Sequence, residues 1–336
     1  MARAEPPDRR ESARQADGER IATQERPRAV PLGVAQPLRV LVTGGEGFVG
    51  SHLVPRLLSR GHLVRATYHD PEGPGRRATP GIDWRAADLS QERDAHGLAE
   101  DCDVVVHLAG LFAAAGRLTL ARVHGTGTRR LVAEAERAGV GRLIYVSVLG
   151  ARPGEADYFG TKFDAETAVV ASSIPSVILR PSVIYGPGDR FTSSIVRMLR
   201  RLPVFPLPGG GRFRLQPLAV EDMVDALSQC VERRDLDGRE FDLAGPERLT
   251  FREIVALVAD HIGRRRLLVP FPRRLALSAA GLAHRAGFPA PFTPEQLALF
   301  AVGGELPTHE NPLLEVFQVK PMPFRDAIAD YLDVPA

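Results

Sequence analysis

A chain of 336 residues can bury a large core and fill roughly two domains. Its net charge of +2 sets up no field that would gather nucleic acid over the whole surface. Two cysteines, Cys102 and Cys230, have neither zinc nor redox spacing and read as buried, inert thiols, and no run reaches the roughly 18 uninterrupted apolar residues of a membrane span.

Residues 1–37 are rich in Arg, Glu, Ala and Pro with almost no apolar periodicity, so they are expected to form a disordered leader. Glu5, Asp8, Glu11, Asp17, Glu19 and Glu25 argue against a transit peptide, and no signal peptide is recognisable, which makes the chain cytoplasmic by expectation. Leu38–Thr43 then reads as a buried parallel strand. It runs into a glycine cluster, Thr43-Gly-Gly-Glu-Gly-Phe-Val-Gly50, and on into a helix from about Gly47 to Arg60. Two spacings fit, Gly45-x-Gly47-x-x-Gly50 and Thr43-Gly44-x-x-Gly47-x-x-Gly50. Glycines in this context allow a tight turn, a close approach of backbone to pyrophosphate and tight packing of helix on strand. The pyrophosphate would then sit on the free N–H groups at the helix start. Gly44, Gly47, Phe48, Val49 and Gly50 are therefore candidate nucleotide-binding residues. Pro55, inside the helix, predicts a kink.

Strands are expected at His62–Tyr68, Ile82–Ala86, Asp103–Gly110, Arg142–Val148 and Val177–Arg180, with helices near Leu118–Ala138 and Tyr158–Ala171. This alternation predicts βαβ units: a doubly wound α/β parallel sheet of the Rossmann type over residues 38–180. After Pro181, prolines and glycines break the pattern, and helices return at Val220–Arg233, Phe251–Gly263, Arg273–Ala286 and Pro294–Val302. Residues 181–336 read as a smaller, discontinuous C-terminal cap contributing substrate contacts, with some segments returning to the sheet.

Tyr158-Phe-Gly-Thr-Lys162 places a phenol and an ammonium on one helix face. A cation close to a tyrosine favours the phenolate, whose reference pKa is near 10, and moves it toward a working pH. With Thr43–Gly50, Ala87-Asp-Leu89, His107-Leu-Ala-Gly110, His124-Gly-Thr126 and Arg180-Pro-Ser-Val-Ile-Tyr-Gly-Pro187, the pair resembles the short-chain dehydrogenase/reductase family in its extended, NAD-dependent epimerase/dehydratase-like form. Val146–Ala151, Gly186–Phe191, Gln216–Asp222 and Leu243–Pro246 are similar to the branch that holds the nucleotide-binding accessory subunit of respiratory complex I. The resemblance implies that Asp88 and Leu89 meet the adenine, that Leu108, Ala109 and Gly110 line the adenosine, and that Lys162 holds the nicotinamide ribose.

Two departures from that pattern matter. Where the family ends strand five with two hydroxyl residues, this chain has Ser147-Val148, leaving Ser147 as the candidate catalytic hydroxyl. Where NAD-specific relatives end strand two with an acid for the ribose 2′-OH, this chain has Tyr68 and His69, with Asp70 the close acid and Arg76 and Arg77 nearby. NADP(H) is therefore expected over NAD(H). The implied activity is hydride transfer at a carbonyl or alcohol carbon of a small molecule, with Tyr158 as acid/base. The alternative is a non-catalytic, NADPH-binding accessory protein of a membrane complex. Arg180 reads equally as an anion ligand or a structural ion pair. Arg264–Arg266 with Arg273 and Arg274 form a basic patch beside Leu275–Leu282, read as cap packing, with a membrane contact as the other reading. No nucleic-acid partner and no metal site are expected, His107 and His124 lacking partner ligands in sequence.

Overall fold

The computed structural model describes residues 36–69, 80–111, 118–154, 157–272 and 304–332. Strands and helices alternate from β1 (Arg39–Thr43) through α1 (Phe48–Ser59), β2 (Leu63–Tyr68), β3 (Ile82–Ala86), the short α2 (Glu92–Ala95), β4 (Val104–His107), α3 (Thr128–Arg137), β5 (Arg142–Val146), α4 (Tyr158–Val170) and β6 (Ser176–Pro181). There follow β7 (Ile184–Tyr185), α5 (Arg190–Arg201), β8 (Val204–Pro208), β9 (Arg214–Leu215), β10 (Leu218–Ala219), α6 (Val220–Glu232), β11 (Glu240–Leu243), β12 (Leu249–Thr250), α7 (Phe251–His261), β13 (Leu267–Phe271), α8 (Pro312–Glu315) and α9 (Phe324–Tyr331).

The central sheet has seven parallel strands in the order β11-β6-β5-β4-β1-β2-β3. Both its faces are covered, so side chains alternate between two cores rather than between core and water. Val40, Val42, Val104, Val106, Ile144 and Val146 pack against Leu53 and Leu57 of α1 and Val224 and Leu227 of α6. Leu41, Val105, Leu143 and Tyr145 face the other way, onto Leu131 and Ala135 of α3 and Ala165 and Val169 of α4. A separate core gathers Ile195, Leu199, Phe205, Leu207, Phe251, Ile254 and Phe324 from the later elements. Strand order reverses between β1 and β4, and ligands in such sheets bind outside the carboxyl ends of the strands at that switch point.

The structure differs from the sequence reading in several places, α9 and the short strands after β6 among them. The helix assignment runs unbroken through Pro55, whose ring lies on the exposed side of α1. The helix expected from Leu118 opens as a π-helical turn, Ala121–Gly127, before becoming α3. Gly125 and Gly127 weaken the helical preference there, and the His124 ring is drawn across to Thr161 of α4, 3.0 Å away. Helix α5 was not expected; Asp189 caps it and Ile195, Met198 and Leu199 bury its inner side. Strand β11, equally unexpected, extends the sheet beside β6. The leader up to residue 35, Asp70, Arg76, Arg77, Arg273, Arg274 and both helices expected within 273–302 lie outside the described residues. Among the described residues no helix is long and apolar enough to cross a membrane.

Candidate functional site

At the end of β1 the chain turns through Gly44 at φ +71°, a conformation natural to glycine. Its amide donates to the Thr67 hydroxyl at 2.9 Å, and the next amide, of Gly45, donates to the Thr67 carbonyl at 2.9 Å. A Cβ on Gly44 would stand 3.1 Å from Ala109, so the loop lies directly against the residues that follow β4. A Cβ on Gly50 would meet the Gly44 carbonyl oxygen at 2.3 Å; helix and turn touch backbone to backbone there. Gly47 is looser, its nearest neighbour being the Gly44 oxygen at 3.1 Å, and it is the N-cap of α1. No side chain caps this helix and no acid stands in its first turn. Its leading amides are therefore available to an anion, as a dinucleotide pyrophosphate requires. Phe48 and Val49 sit half-buried behind the loop against the sheet core.

At the outer edge, the His69 amide donates to Glu46 Oε1 at 2.8 Å, which ties the glycine loop to the end of β2. Asp88 closes the turn after β3: the Ser90 amide donates to its Oδ1 at 2.9 Å. Leu89 is buried against the π-helical turn, 3.3 Å from where a Cβ on Gly127 would be. Thr43, at the tip of β1, shares a 2.7 Å hydrogen bond with His107 Nδ1 and accepts the Ala109 amide at 3.3 Å. The other nitrogen of His107 meets the Thr128 hydroxyl at 3.0 Å, and burial drives this imidazole's pKa down to about 3. It is a neutral strut that fixes the end of β4.

Gly110 joins this edge to the chemistry. A Cβ there would stand 3.2 Å from His124 Nε2 and 3.5 Å from Lys162 Nζ. His124 accepts the Leu111 amide at Nε2 (3.1 Å), so its proton sits on Nδ1, facing the Thr161 hydroxyl. That hydroxyl donates in turn to the Asp157 carbonyl at 2.9 Å, the residue whose side chain caps α4. Burial, with Lys162 adding to it, depresses the His124 pKa to about 2. The Tyr158 ring lies edge-on to the His124 ring at 5.7 Å. One turn further, buried Lys162 donates to the Val146 carbonyl at 2.9 Å and its Nζ lies 5.0 Å from the Tyr145 ring centre.

The electrostatics run against one sequence expectation. Burial raises the Tyr158 phenol above its ordinary value of 10.0, whereas Lys162 was expected to lower it. The ammonium is turned to the Val146 carbonyl, and burial lowers its own pKa to about 8, offset in part by Glu166. Ser147 continues the pairing of β5, its amide donating to Leu179 O at 2.8 Å. By the period of two it shares the face of Tyr145, on the side of α4. Its Oγ and the Tyr145 hydroxyl are buried with no hydrogen-bond partner among the described residues. Arg180 proves structural: it pairs with Glu166 and Glu240 at 2.6 Å each.

Sequence reading passed over the contributions of His124 and Glu46. The signal for His124 was its place in His124-Gly-Thr126, which the structure converts into a π-helical turn, a feature frequent at functional sites. A cavity of about 650 Å³ lies elsewhere, between Gly209–Arg212, Thr250, Arg252 and Pro270–Pro272, and shares no residue with this cluster.

Residues 40–244 match the model of the NAD dependent epimerase/dehydratase family. Ceramide reductase from Caulobacter vibrioides is 33% identical over 245 residues, 72% of this chain and 76% of that protein. The mitochondrial 40 kDa subunit of NADH-ubiquinone oxidoreductase from Neurospora crassa is 26% identical over 250 residues, 73% of this chain and 66% of that one. The crystal structure of an NADPH-dependent quinone oxidoreductase from Escherichia coli, complexed with NADPH, covers 87% of this chain and 99% of its own at TM-score 0.71. Its identity is 17%, a likeness of fold.

Proposed function

The chain belongs to the NAD-dependent epimerase/dehydratase family, whose members bind nicotinamide dinucleotides, and on that premise we propose that it transfers hydride at a carbonyl or alcohol carbon with Tyr158 as acid/base. The observation that carries this reading is the convergence of Gly110, His124, Tyr158 and Lys162 beside a glycine loop whose helix offers uncapped amides. The residues fit the dinucleotide: Gly44 and Gly50 give the close backbone turn, and the start of α1 gives the anion site.

Bound there, a nicotinamide supplies or accepts the hydride. In reduction, Tyr158 gives its phenolic proton to the substrate oxygen as the carbonyl π bond opens; in oxidation it takes that proton back. Burial keeps the phenol protonated, which suits the donor role. Lys162, with its pKa of about 8, is charged at neutral pH and, held on the Val146 carbonyl one turn from Tyr158, is the candidate contact to the nicotinamide ribose. His124, neutral and held by Thr161, backs the Tyr158 ring. Ser147 is the candidate second contact to the substrate oxygen, since Val148 has no hydroxyl to offer.

Of the two nucleotides we assign NADP(H), because Tyr68 rather than an acid closes β2. Glu46 is the charge that opposes a 2′-phosphate at this edge. In competition titrations NADPH should bind more tightly than NADH, and Glu46→Gln should widen the gap; tighter NADH binding sinks the assignment. Val148 also favours a second reading, a nucleotide-binding accessory protein that performs no turnover. Deuterium transfer separates the two. With 4-deuterated NADPH and a panel of ketones and aldehydes, the label should appear on the carbinol carbon of the product. An alcohol formed without the label would overturn the hydride reading.

A further inference from the structure

Strands β8 and β13 form a two-stranded parallel ribbon in register Val204↔Leu267, Phe205↔Leu268, Pro206↔Val269. Paired residues of a ribbon share a face, and successive residues alternate. One face is the inner one: Phe205 and Leu207 are fully buried, and Leu268 packs against the same core. The opposite face is open, with Leu267 69%, Val204 43% and Val269 38% exposed. A strand with one face to water ordinarily places polar side chains outward. Here the outward positions are Val204, Pro206, Leu267 and Val269, and Leu202, just ahead of β8, is exposed as well.

Parallel pairing also brings the starts of both strands to one end. Arg200 and Arg201 close α5 four and three residues before Val204; Arg264, Arg265 and Arg266 immediately precede Leu267. Five arginines thus gather at one end of an apolar face. Between residues 197 and 208 there is no acid, and between 260 and 271 only Asp260. Asp260 reaches Arg265 at 3.5 Å across exposed side chains, a weak contact. Arg266 is anchored by donating to the Leu199 carbonyl at 2.9 Å. Arg200, Arg201 and Arg264 are exposed and have no acidic partner among the described residues.

We propose that the outer face of the β8–β13 ribbon docks on an anionic lipid bilayer. Apolar side chains projecting from a ribbon enter the boundary between headgroups and acyl chains, while guanidinium groups at its end pair with lipid phosphates. The overall charge of +2 makes the point sharper, because this positive charge is local rather than spread over the molecule. A surface chosen only for solubility would not set exposed Leu and Val beside a cluster of arginines. The proposal is independent of the hydride reading; it concerns where the protein works, whatever it reduces.

The test is co-sedimentation of the full chain with vesicles of phosphatidylcholine alone and of phosphatidylcholine mixed with phosphatidylglycerol. The mixed vesicles should carry the protein down and the neutral ones should not, with release at high salt. Leu267→Glu and Val204→Glu, both at exposed positions that leave the core intact, should each weaken binding about tenfold or more. Arg264→Ala and Arg201→Ala should weaken it about fivefold each, the equivalent of one interfacial cation. Unchanged melting and nucleotide binding show that the variants are folded. Equal binding to both vesicle types overturns the proposal, as does anionic binding that survives Leu267→Glu and Val204→Glu together. A wild-type dimer that Leu267→Glu dissociates, with no vesicle binding, overturns it too and makes this face a contact between copies.

Discussion

The residues after β4 touch both walls of the proposed nucleotide crevice: Leu108 and Ala109 lie against Gly44, and Gly110 against His124 and Lys162. The two walls are built from different material. The first is backbone, in which Gly50 allows an approach that no side chain would survive, Gly44 takes a left-handed turn that side chains rarely adopt, and Thr67 fixes two successive amides. The second is a cluster of buried side chains that titrate, His124, Tyr158 and Lys162, with Ser147 and Tyr145 hydroxyls beside them that have no partner among the described residues. A wall of backbone recognises by shape and is indifferent to pH. A wall of buried titratable groups weakens the fold and holds proton donors ready for a ligand. Damage to the first should therefore appear in binding and stability, and damage to the second in rate and pH dependence.

The largest expected effect is on rate. Tyr158→Phe keeps the ring against His124 and removes the hydroxyl proposed to move the proton. Turnover should fall about 10²–10⁴-fold, the usual worth of general acid/base assistance, while NADPH affinity by calorimetry stays within about twofold. Turnover that survives this change would take the phenol out of the chemistry. Because burial holds the phenol protonated, reduction should proceed at neutral pH and alcohol oxidation should gain as pH rises.

Next comes a pH signature that the glycine wall cannot produce. Lys162 has its pKa lowered from 10.5 to about 8 in the folded chain. Between those values the unfolded chain binds more protons than the folded one, so stability rises with pH. Measured as wild type minus Lys162→Met, the gain from pH 8 to pH 10 should be about 2 kcal/mol. Taking the difference cancels the thiols and phenols that titrate in the same range. The background is low, since the chain has only one other lysine, Lys320. A flat difference would mean that the ammonium is solvated, and the contrast between the walls would lose its electrostatic half.

On the backbone side, Gly50→Ala should lower stability by about 1–3 kcal/mol and weaken nucleotide binding, because its Cβ would press on the Gly44 oxygen at 2.3 Å and the turn must open. Gly47→Ala, whose Cβ would meet the same oxygen at 3.1 Å, asks for a shift of only a few tenths of an ångström and should cost the fold less. Denaturant unfolding of both variants checks this. Equal loss in the two would contradict the packing described here.

Much of this plan could be read from the chain because it is written in local patterns. Alternating apolar runs marked β1 to β6, the glycine spacing marked the turn, and the four-residue interval marked Tyr158 and Lys162. What escaped was set by partners distant in sequence. β11 is a four-residue segment, Glu-Phe-Asp-Leu, and it is joined to β6 by ladder pairing and by Arg180, which meets Glu240 60 residues away. α5 hid between glycines and prolines although Asp189 caps it. The pKa of Tyr158 followed burial and the orientation of Lys162, and neither is visible in Tyr-x-x-x-Lys.

The smallest expected effect falls on the residue whose role is least fixed by its surroundings. Ser147 Oγ is buried, faces the side of α4 and has no partner among the described residues. An unpaired buried hydroxyl costs the fold about 1–3 kcal/mol, much of which truncation recovers. Ser147→Ala should therefore leave the melting temperature unchanged or slightly raised, unlike removal of a structural serine, which would lower it. Turnover should fall roughly tenfold, the value of one neutral hydrogen bond to the substrate oxygen. Val148→Ser tests the same point from the other side. Period two directs residue 148 to the face of Val146, away from α4, so the added hydroxyl should not rescue Ser147→Ala. If it does, the end of β5 turns when nucleotide binds, and the wall of side chains is less rigid than the wall of glycines.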